Sequence, residues 1–313
     1  MPRHSRRPLV IATVIASLLV PNTGLAWGRE GHRIVARIAE KNLLPATREK
    51  LRQILGLRNV AELATAMAEA ARWPDRIDRA ATGTGRWHFI NVPIGSPFTV
   101  TGHCPNHDCV IDRIEEMQHR LQTNQNGFAL LAPPNPMRSM TSQELAFLLH
   151  FVGDLHQPLH AAWNADRGGG CVPLARPLVH DDGKNNDTTD LHIAWDIDTV
   201  LAAMKRHGNS EQATATALFA RFKNGASISQ GTPEQWARES YDLARSAIYQ
   251  KLGIQTYTLT KGDCAIGIKP VTITTAYLQS NVDIVERRLM EAGIRLSNVL
   301  NEICAGSGCK AKP

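Results

Sequence analysis

Apolar residues recur at helical spacing along much of the chain. In 29–43, Ile34, Val35, Ile38 and Ala39 share one face ahead of Pro45. Residues 60–71 are Ala-rich with interspersed acids and no Gly, and in 110–121 Val110, Ile111, Ile114, Met117 and Leu121 repeat at the same period. The segment 144–155, preceded by Ser142, is apolar nearly all round, the mark of a buried helix. Pro233 opens a helix over 234–252 at a tolerated first-turn position. A last long helix covers 282–303, with Gly306 as its stop. Strand patterns are weak, confined to 87–92 and 255–259, and 83–106 and 165–190 read as long loops. No repeat or Pro/Ser linker divides the chain. The pattern predicts one mainly α-helical domain with little strand.

The N-terminus is an exception. Arg3, Arg6 and Arg7 precede a 12-residue apolar run, residues 9–20, then Pro21 and a small-residue ending at Gly24-Leu25-Ala26. This is the layout of a secretory signal peptide, residues 1–26, cut after Ala26. The run is too short for a hydrocarbon core that needs about 20 residues, so no membrane insertion is expected. The mature domain then spans 27–313 and lies outside the cytoplasm, secreted or periplasmic.

Composition narrows the class. With 43% hydrophobic and 20% charged residues, the chain has the balance of a globular protein rather than a disordered one. Half of the formal charge of +6 comes from the three arginines of the signal segment. The mature chain is therefore no polycation, and any phosphate chemistry must be local. Six Cys in an exported chain point to disulfides. Cys104 with Cys109, and Cys304 with Cys309, are close enough in sequence to close small loops, which leaves Cys171 with Cys264; other pairings stay open. Without a Cys-x-x-Cys pair, thiolate zinc binding is the weaker alternative.

His and Asp carry the candidate chemistry. His150 and Asp154 sit four apart on one face of the apolar helix, where ionisable groups are costly unless paired or metal-bound. His192 and Asp196 repeat that interval, and His160, after Pro158, presents from a turned chain. Asp75 ends Trp73-Pro74-Asp75, and His88 lies in Trp87-His88-Phe89. Cleavage after Ala26 would expose Trp27, whose amine and carbonyl form a chelate near His32. Nitrogen and carboxylate ligands without thiolate suit zinc.

These motifs, in this order, resemble the secreted, zinc-dependent, single-strand-preferring nucleases of fungi, plants and bacteria, which share a fold with the bacterial zinc phospholipases C. The resemblance covers nearly the whole mature chain. It rests on Trp27-Gly28, Gly31-His32, Trp73-x-Asp75, His88-Phe89-x-Asn91, the Cys104–Cys109 loop, His150-x3-Asp154 with Gln157-Pro158-Leu159-His160, and Leu191-His192-x-x-Trp195-Asp196. It implies three zinc ions. Asp75, His88, His150 and Asp154 match the ligands of the first, His160, His192 and Asp196 those of a second, more exposed ion, and Trp27, His32 and Asp154 those of a third. Asp154 would bridge a close pair, and two metals about 3.5–4 Å apart are the usual device for activating water against a phosphate.

The resemblance further implies cleavage of single-stranded DNA and RNA to 5′-phosphates, with 3′-nucleotidase activity as an option, by a monomer with no stable protein partner. Asp75 and Asp154 are the expected catalytic residues. Phe89 matches a residue that stacks a base and Asn91 a base-edge partner. Two departures stand out. Where the family often has Arg three residues after Asp75, this chain has Asp78, flanked by Arg76 and Arg79. The 165–190 loop is also longer than expected. The other histidines, among them His103, His156 and His180, match no ligand position. The alternatives are a zinc phospholipase C, where Glu usually stands at the Asp196 position, and a non-catalytic secreted zinc-binding protein.

Overall fold

The computed structural model describes residues 27–125, 139–180, 187–223, 227–228 and 230–311. The signal segment, and Asn186 of the Asn186-Asp187-Thr188 glycosylation sequon, lie outside the described residues.

The architecture is mainly helical. Helix α1 (Arg29–Lys41) buries the face carrying Ile34, Val35 and Ile38. It is followed by α2 (Pro45–Ile54), α3 (Leu63–Ala70), the single turn α4 (Arg79–Thr82) and α5 (Val110–Thr123). Helix α6 (Met140–Leu155) runs through the middle, and its residues 141–155 are buried. Its N-cap is Ser139, in a capping box with Ser142, so the helix begins a turn earlier than its apolar run suggests. Phe147 and Phe151 of α6 meet Trp87 edge-on, and Trp73 meets Phe147 with centroids 5.3 Å apart.

Helix α7 (Leu191–Ile193) passes through a π-helical turn (Ala194–Asp198) into α8 (Thr199–Lys205). Next come α9 (Glu211–Lys223) and α10 (Pro233–Leu243), which continues as a π-helical segment to Gln250. Helix α11 (Thr275–Ile303) starts seven residues before its expected beginning, capped by Thr274. It packs against α1 and α8, while α1 also lies on α3 and α9. Buried Arg288 and Arg295 of α11 share Glu239, and Arg288 donates to the His156 carbonyl at 3.2 Å. With Ser240 Oγ donating to Leu155 O at 2.5 Å, Arg288 satisfies carbonyls left open at the end of α6, while Arg295 meets His156 Nε2 at 3.0 Å. His156 is buried within this network.

The strand expectations need correction. Residues 85–88 wind into a 3₁₀ turn because Trp87 and His88 are both drawn into the core. Only β1 (Val92–Pro93) is strand, pairing in parallel with β2 (Ala162–Trp163). Residues 255–259 form no ladder. The Asn164 side chain takes the backbone bonds there, donating to Gln255 O and accepting from Tyr257 N, both at 2.9 Å. The 165–190 loop instead holds an antiparallel pair, β3 (Pro173–Leu178) with β4 (Thr188–Asp190). Helices α2, α4, α7, α8 and α9 have no counterpart in the sequence reading.

All six cysteines are paired: Cys104–Cys109, Cys171–Cys264 and Cys304–Cys309. That removes thiolate metal binding. Among the described residues no helix is long and apolar enough to cross a membrane.

Candidate metal centre

Two His/Asp clusters meet at the end of α6. In the first, His150 and Asp154 are fully buried one turn apart. His150 Nδ1 donates to Ala71 O at 2.7 Å, so its Nε2 faces inward, 3.3 Å from both Asp75 Oδ1 and Asp154 Oδ2. His88 Nδ1 lies 2.9 Å from Asp154 Oδ2 and 3.0 Å from His150 Nε2. His32, from α1, stacks on His150 with centroids 3.9 Å apart and brings Nε2 to 3.3 Å from Asp154 Oδ1. Gly153 makes this approach possible: a Cβ there would sit 2.8 Å from His32 Nδ1. Two metal-type groups overlap here, His32–His150–Asp154 and Asp75–His88–His150, each with ligand atoms within 4.8 Å of one another.

The second cluster is His160, His192 and Asp196, within the same 4.8 Å limit. His160 Nδ1 donates to His88 O at 2.6 Å, and His192 Nδ1 to Gly168 O at 2.7 Å. Carbonyls only accept, so both Nε2 atoms keep their lone pairs, and they face each other at 3.2 Å. Asp196 lies on the π-helical turn, a distortion common at functional sites. Its Oδ1 accepts from Gln157 Nε2 at 2.6 Å, and its Oδ2 lies 3.3 Å from His192 Nε2.

Burial and the neighbouring charges shift the titration of these groups in both directions. Burial lowers His32 and His160 to about 3, and burial with the Arg79 charge lowers His88 to about 4. These rings stay neutral, the form that binds metal. Burial also opposes charge on His150, but the carboxylates of Asp154 and Asp75 outweigh it and push it up to about 10. Burial would raise those two carboxyls, yet His150 holds both below their usual range. Burial wins at Asp196, which is pushed up to about 8. The metal fit rests on orphaned atoms: both ring nitrogens of His32, Oδ1 of Asp154 and Oδ2 of Asp196 are buried without a hydrogen-bond partner among the described residues. Unpaired buried polar atoms of this kind are costly. A cation held among imidazole nitrogens and carboxylate oxygens would satisfy His32 Nε2, Asp154 Oδ1 and Asp196 Oδ2; His32 Nδ1 points away from them, against Gly153.

Trp27 is buried, and the next residue is tied to the second cluster by Gly28 N donating to Asp196 O at 2.8 Å. Half-buried Phe89 and Asn91 line a cleft of about 550 Å3 with His160 and His192. His103 lines the same cleft.

Three contributors had no assigned role in the sequence. Gln157 stands in a quoted motif, but its bond to Asp196 spans 39 residues. Gly168 is the first of the run Gly168-Gly169-Gly170 in the 165–190 loop. Arg79 bonds Asp75 Oδ1, and the departure at Asp78 explains how. Asp78 caps α4, accepting from the amides of Ala80 and Ala81 at 3.0 Å, and the short helix returns Arg79 to Asp75.

A family model described as S1/P1 Nuclease matches residues 27–305. The chain is 29% identical to Endonuclease 3 of Arabidopsis thaliana over 314 residues, 96% of each protein. It is 25% identical to Nuclease S1 of Aspergillus oryzae, covering 95% of this chain and 99% of that one. With Nuclease P1 of Penicillium citrinum the identity is 26%, covering 88% and 97% respectively.

Proposed function

The chain belongs to the S1/P1 nuclease family and is on that ground a phosphodiester hydrolase; from this premise we propose that it is a secreted, zinc-dependent endonuclease cutting single-stranded DNA and RNA to 5′-phosphate products. The observation that carries the reading is the pair of buried His/Asp clusters with orphaned nitrogen and oxygen atoms. Imidazole and carboxylate without thiolate suit zinc. Asp75, His88, His150 and Asp154 would hold one ion, His160, His192 and Asp196 another, and His32, Asp154 and the Trp27 amine and carbonyl a third. When bound, such ions supply Lewis-acid charge and lower the pKa of water.

The protein's own groups do the rest. Asp75, kept ionised beside His150 and Arg79, accepts a hydrogen bond from the attacking water and orients it. Asp154, facing three histidines, holds its carboxylate between the two groups of the first cluster. Phe89 stacks one base and Asn91 meets its edge. Stacking is worth about 1–3 kcal/mol per base and needs an unpaired base, which favours single strands. Removal of residues 1–26 frees the Trp27 amine, which in the precursor is an amide with a delocalised lone pair. The three disulfides fit an oxidising compartment. The enzyme would act as a monomer.

Zymography with single-stranded DNA, RNA and lecithin, each with and without chelator, tests the proposal. Chelator-sensitive clearing of both nucleic acids is expected. Clearing of lecithin alone would assign a phospholipase C. Zinc binding without any turnover would leave a non-catalytic binder.

A further inference from the structure

We propose that Arg167 is a substrate-binding residue that takes a backbone phosphate of the nucleic-acid chain next to the one being cut. It lines the cleft shared by Phe89, Asn91, His160 and His192. Arg86 and Arg167 are the arginines of that lining. Arg86 already leans on Asp108 at 3.9 Å. Arg167 forms no ion pair among the described residues, though its charge reaches Asp190. That carboxylate is itself engaged, capping α7 by accepting from Ile193 N at 3.0 Å.

The loop that presents Arg167 is held in an unfavourable shape. Ala165, Arg167, Gly168 and Gly169 have φ of 55°, 57°, 60° and 90°. Gly adopts this region freely, but Ala165 and Arg167 carry a Cβ and do so at a cost. Such strain persists only where the surroundings over-determine it, and it gathers at ligand clamps. Here the surroundings do. The Cys171–Cys264 disulfide closes the loop, Ala265 N donates to Ala165 O at 2.7 Å, and Cys171 N to Asp166 O at 2.8 Å. Buried Asp166 accepts from Tyr249 Oη at 2.9 Å. Gly168 is pressed so close that a Cβ would lie 2.6 Å from Leu159 O, and its own carbonyl fixes His192. Ala165, Asp166, Gly168 and Gly169 are buried, whereas Arg167 is exposed.

One loop therefore sets both the His192 ring and the guanidinium beside it. A single strand laid with one base against Phe89 brings a phosphate per nucleotide through this cleft. A guanidinium offers a planar fork of donors suited to phosphate oxygens.

The inference rests on the nuclease reading. Its test is steady-state cleavage of a short oligothymidylate by the zinc-loaded protein over a KCl series. Arg167→Gln should raise KM about tenfold with kcat nearly unchanged, and flatten the slope of log kcat/KM against log salt by about 0.7, one phosphate contact on a single strand. Arg167→Lys, which keeps the charge, should recover most of KM. Zinc content and melting temperature should match wild type in both variants. A KM and salt slope equal to wild type in Arg167→Gln would overturn the assignment. So would a loss of rate that comes with loss of zinc, since Arg167 would then support the His192 site instead. If wild type cleaves nothing, the nuclease reading fails on its own. Anisotropy of the labelled oligomer then decides: unchanged affinity and slope in Arg167→Gln overturns the role, and tenfold weaker, less salt-sensitive binding supports it.

Discussion

The two His/Asp clusters start from the same local motif and end as different sites. His150 with Asp154 and His192 with Asp196 are each four residues apart. The first pair lies on α6, whose residues 141–155 are buried, and is joined from α1, the Asp75 turn and the His88 turn. The second lies where a helix loosens into a π-helical turn at the edge of the cleft. The carboxylates respond in opposite ways. Asp154 faces His32, His88 and His150 and is held ionised, whereas Asp196 has His192 and the neutral Gln157, so burial pushes it up to about 8. The spacing thus marks a place where a metal site can form. The neighbours gathered from distant sequence decide its charge and access.

The sharpest way to break this comparison is to neutralise each aspartate. Asp154→Asn should cost more rate than Asp196→Asn. It disturbs a carboxylate facing both groups of the first cluster, and several kcal/mol of lost charge stabilisation is on the order of 10²–10³-fold in kcat. Zinc content by mass analysis should fall by up to two ions for Asp154→Asn and by about one for Asp196→Asn. Equal losses of metal and rate would show that Asp154 is not shared.

Next in size is the N-terminus. A form retaining Met before Trp27 has an amide where the free amine should be, and that nitrogen is a poor ligand. It should bind fewer zinc ions and lose on the order of tenfold to a hundredfold in rate, the scale of a disturbed metal surrounding. Release of Trp27 by a protease should restore both. A Met-Trp27 protein with full zinc content and full rate would remove Trp27 from the ligand set.

How far these sites were legible depends on the distance over which each contact acts. His150 and Asp154 could be read because an ionisable pair at helical spacing stands out in an apolar helix. His160, His192 and Asp196 became readable once a familiar order of motifs joined them. Arg79, Gln157 and Gly168 were not. Their roles arise from a capped turn, a bond across 39 residues and a close-packed loop. The β expectation at 87–92 failed for a related reason. Trp and Phe there suit a strand, but burial of Trp87 and His88 against α6 decides their conformation. The pair β3–β4 was hidden because Pro173 and Pro177 interrupt any strand pattern.

Chelation should then separate the clusters in order. The second lines the open cleft, while the first ties α1, α6 and the 73–88 segment together. A slow chelator titration should remove zinc from the second with little change in melting. Loss from the first should follow, with a drop of about 10 °C, because binding at a thousand times Kd is worth about 4 kcal/mol and each kcal/mol shifts Tm by about 2–4 °C in a domain of this size. A melting curve unmoved by complete zinc removal would contradict the idea that metal joins these helices.

The smallest predicted effect concerns Gln157, and it isolates the second cluster. Gln157 is fully buried and spends both ends of its amide: Nε2 donates to Asp196 Oδ1 and Oε1 accepts from Leu159 N, each at 2.6 Å. The first bond leaves Asp196 Oδ2 directed toward His192, and the second fixes the turn that carries His160. Gln157→Met keeps the length of the side chain and removes both bonds. Its Asp196 would be free to rotate and the Leu159 amide would be unpaired, at a cost of about 1–3 kcal/mol. Zinc affinity at the second cluster should fall about tenfold, toward the lower end for an outer partner of a ligand. At saturating zinc kcat should stay within about threefold of wild type, because Asp75 and Asp154 are untouched. The discriminating measurement is a zinc titration followed by calorimetry, one affinity weakened and the others unchanged. If Gln157→Met instead weakens all bound zinc alike, the clusters are one coupled site, and the contrast between two separate clusters does not hold.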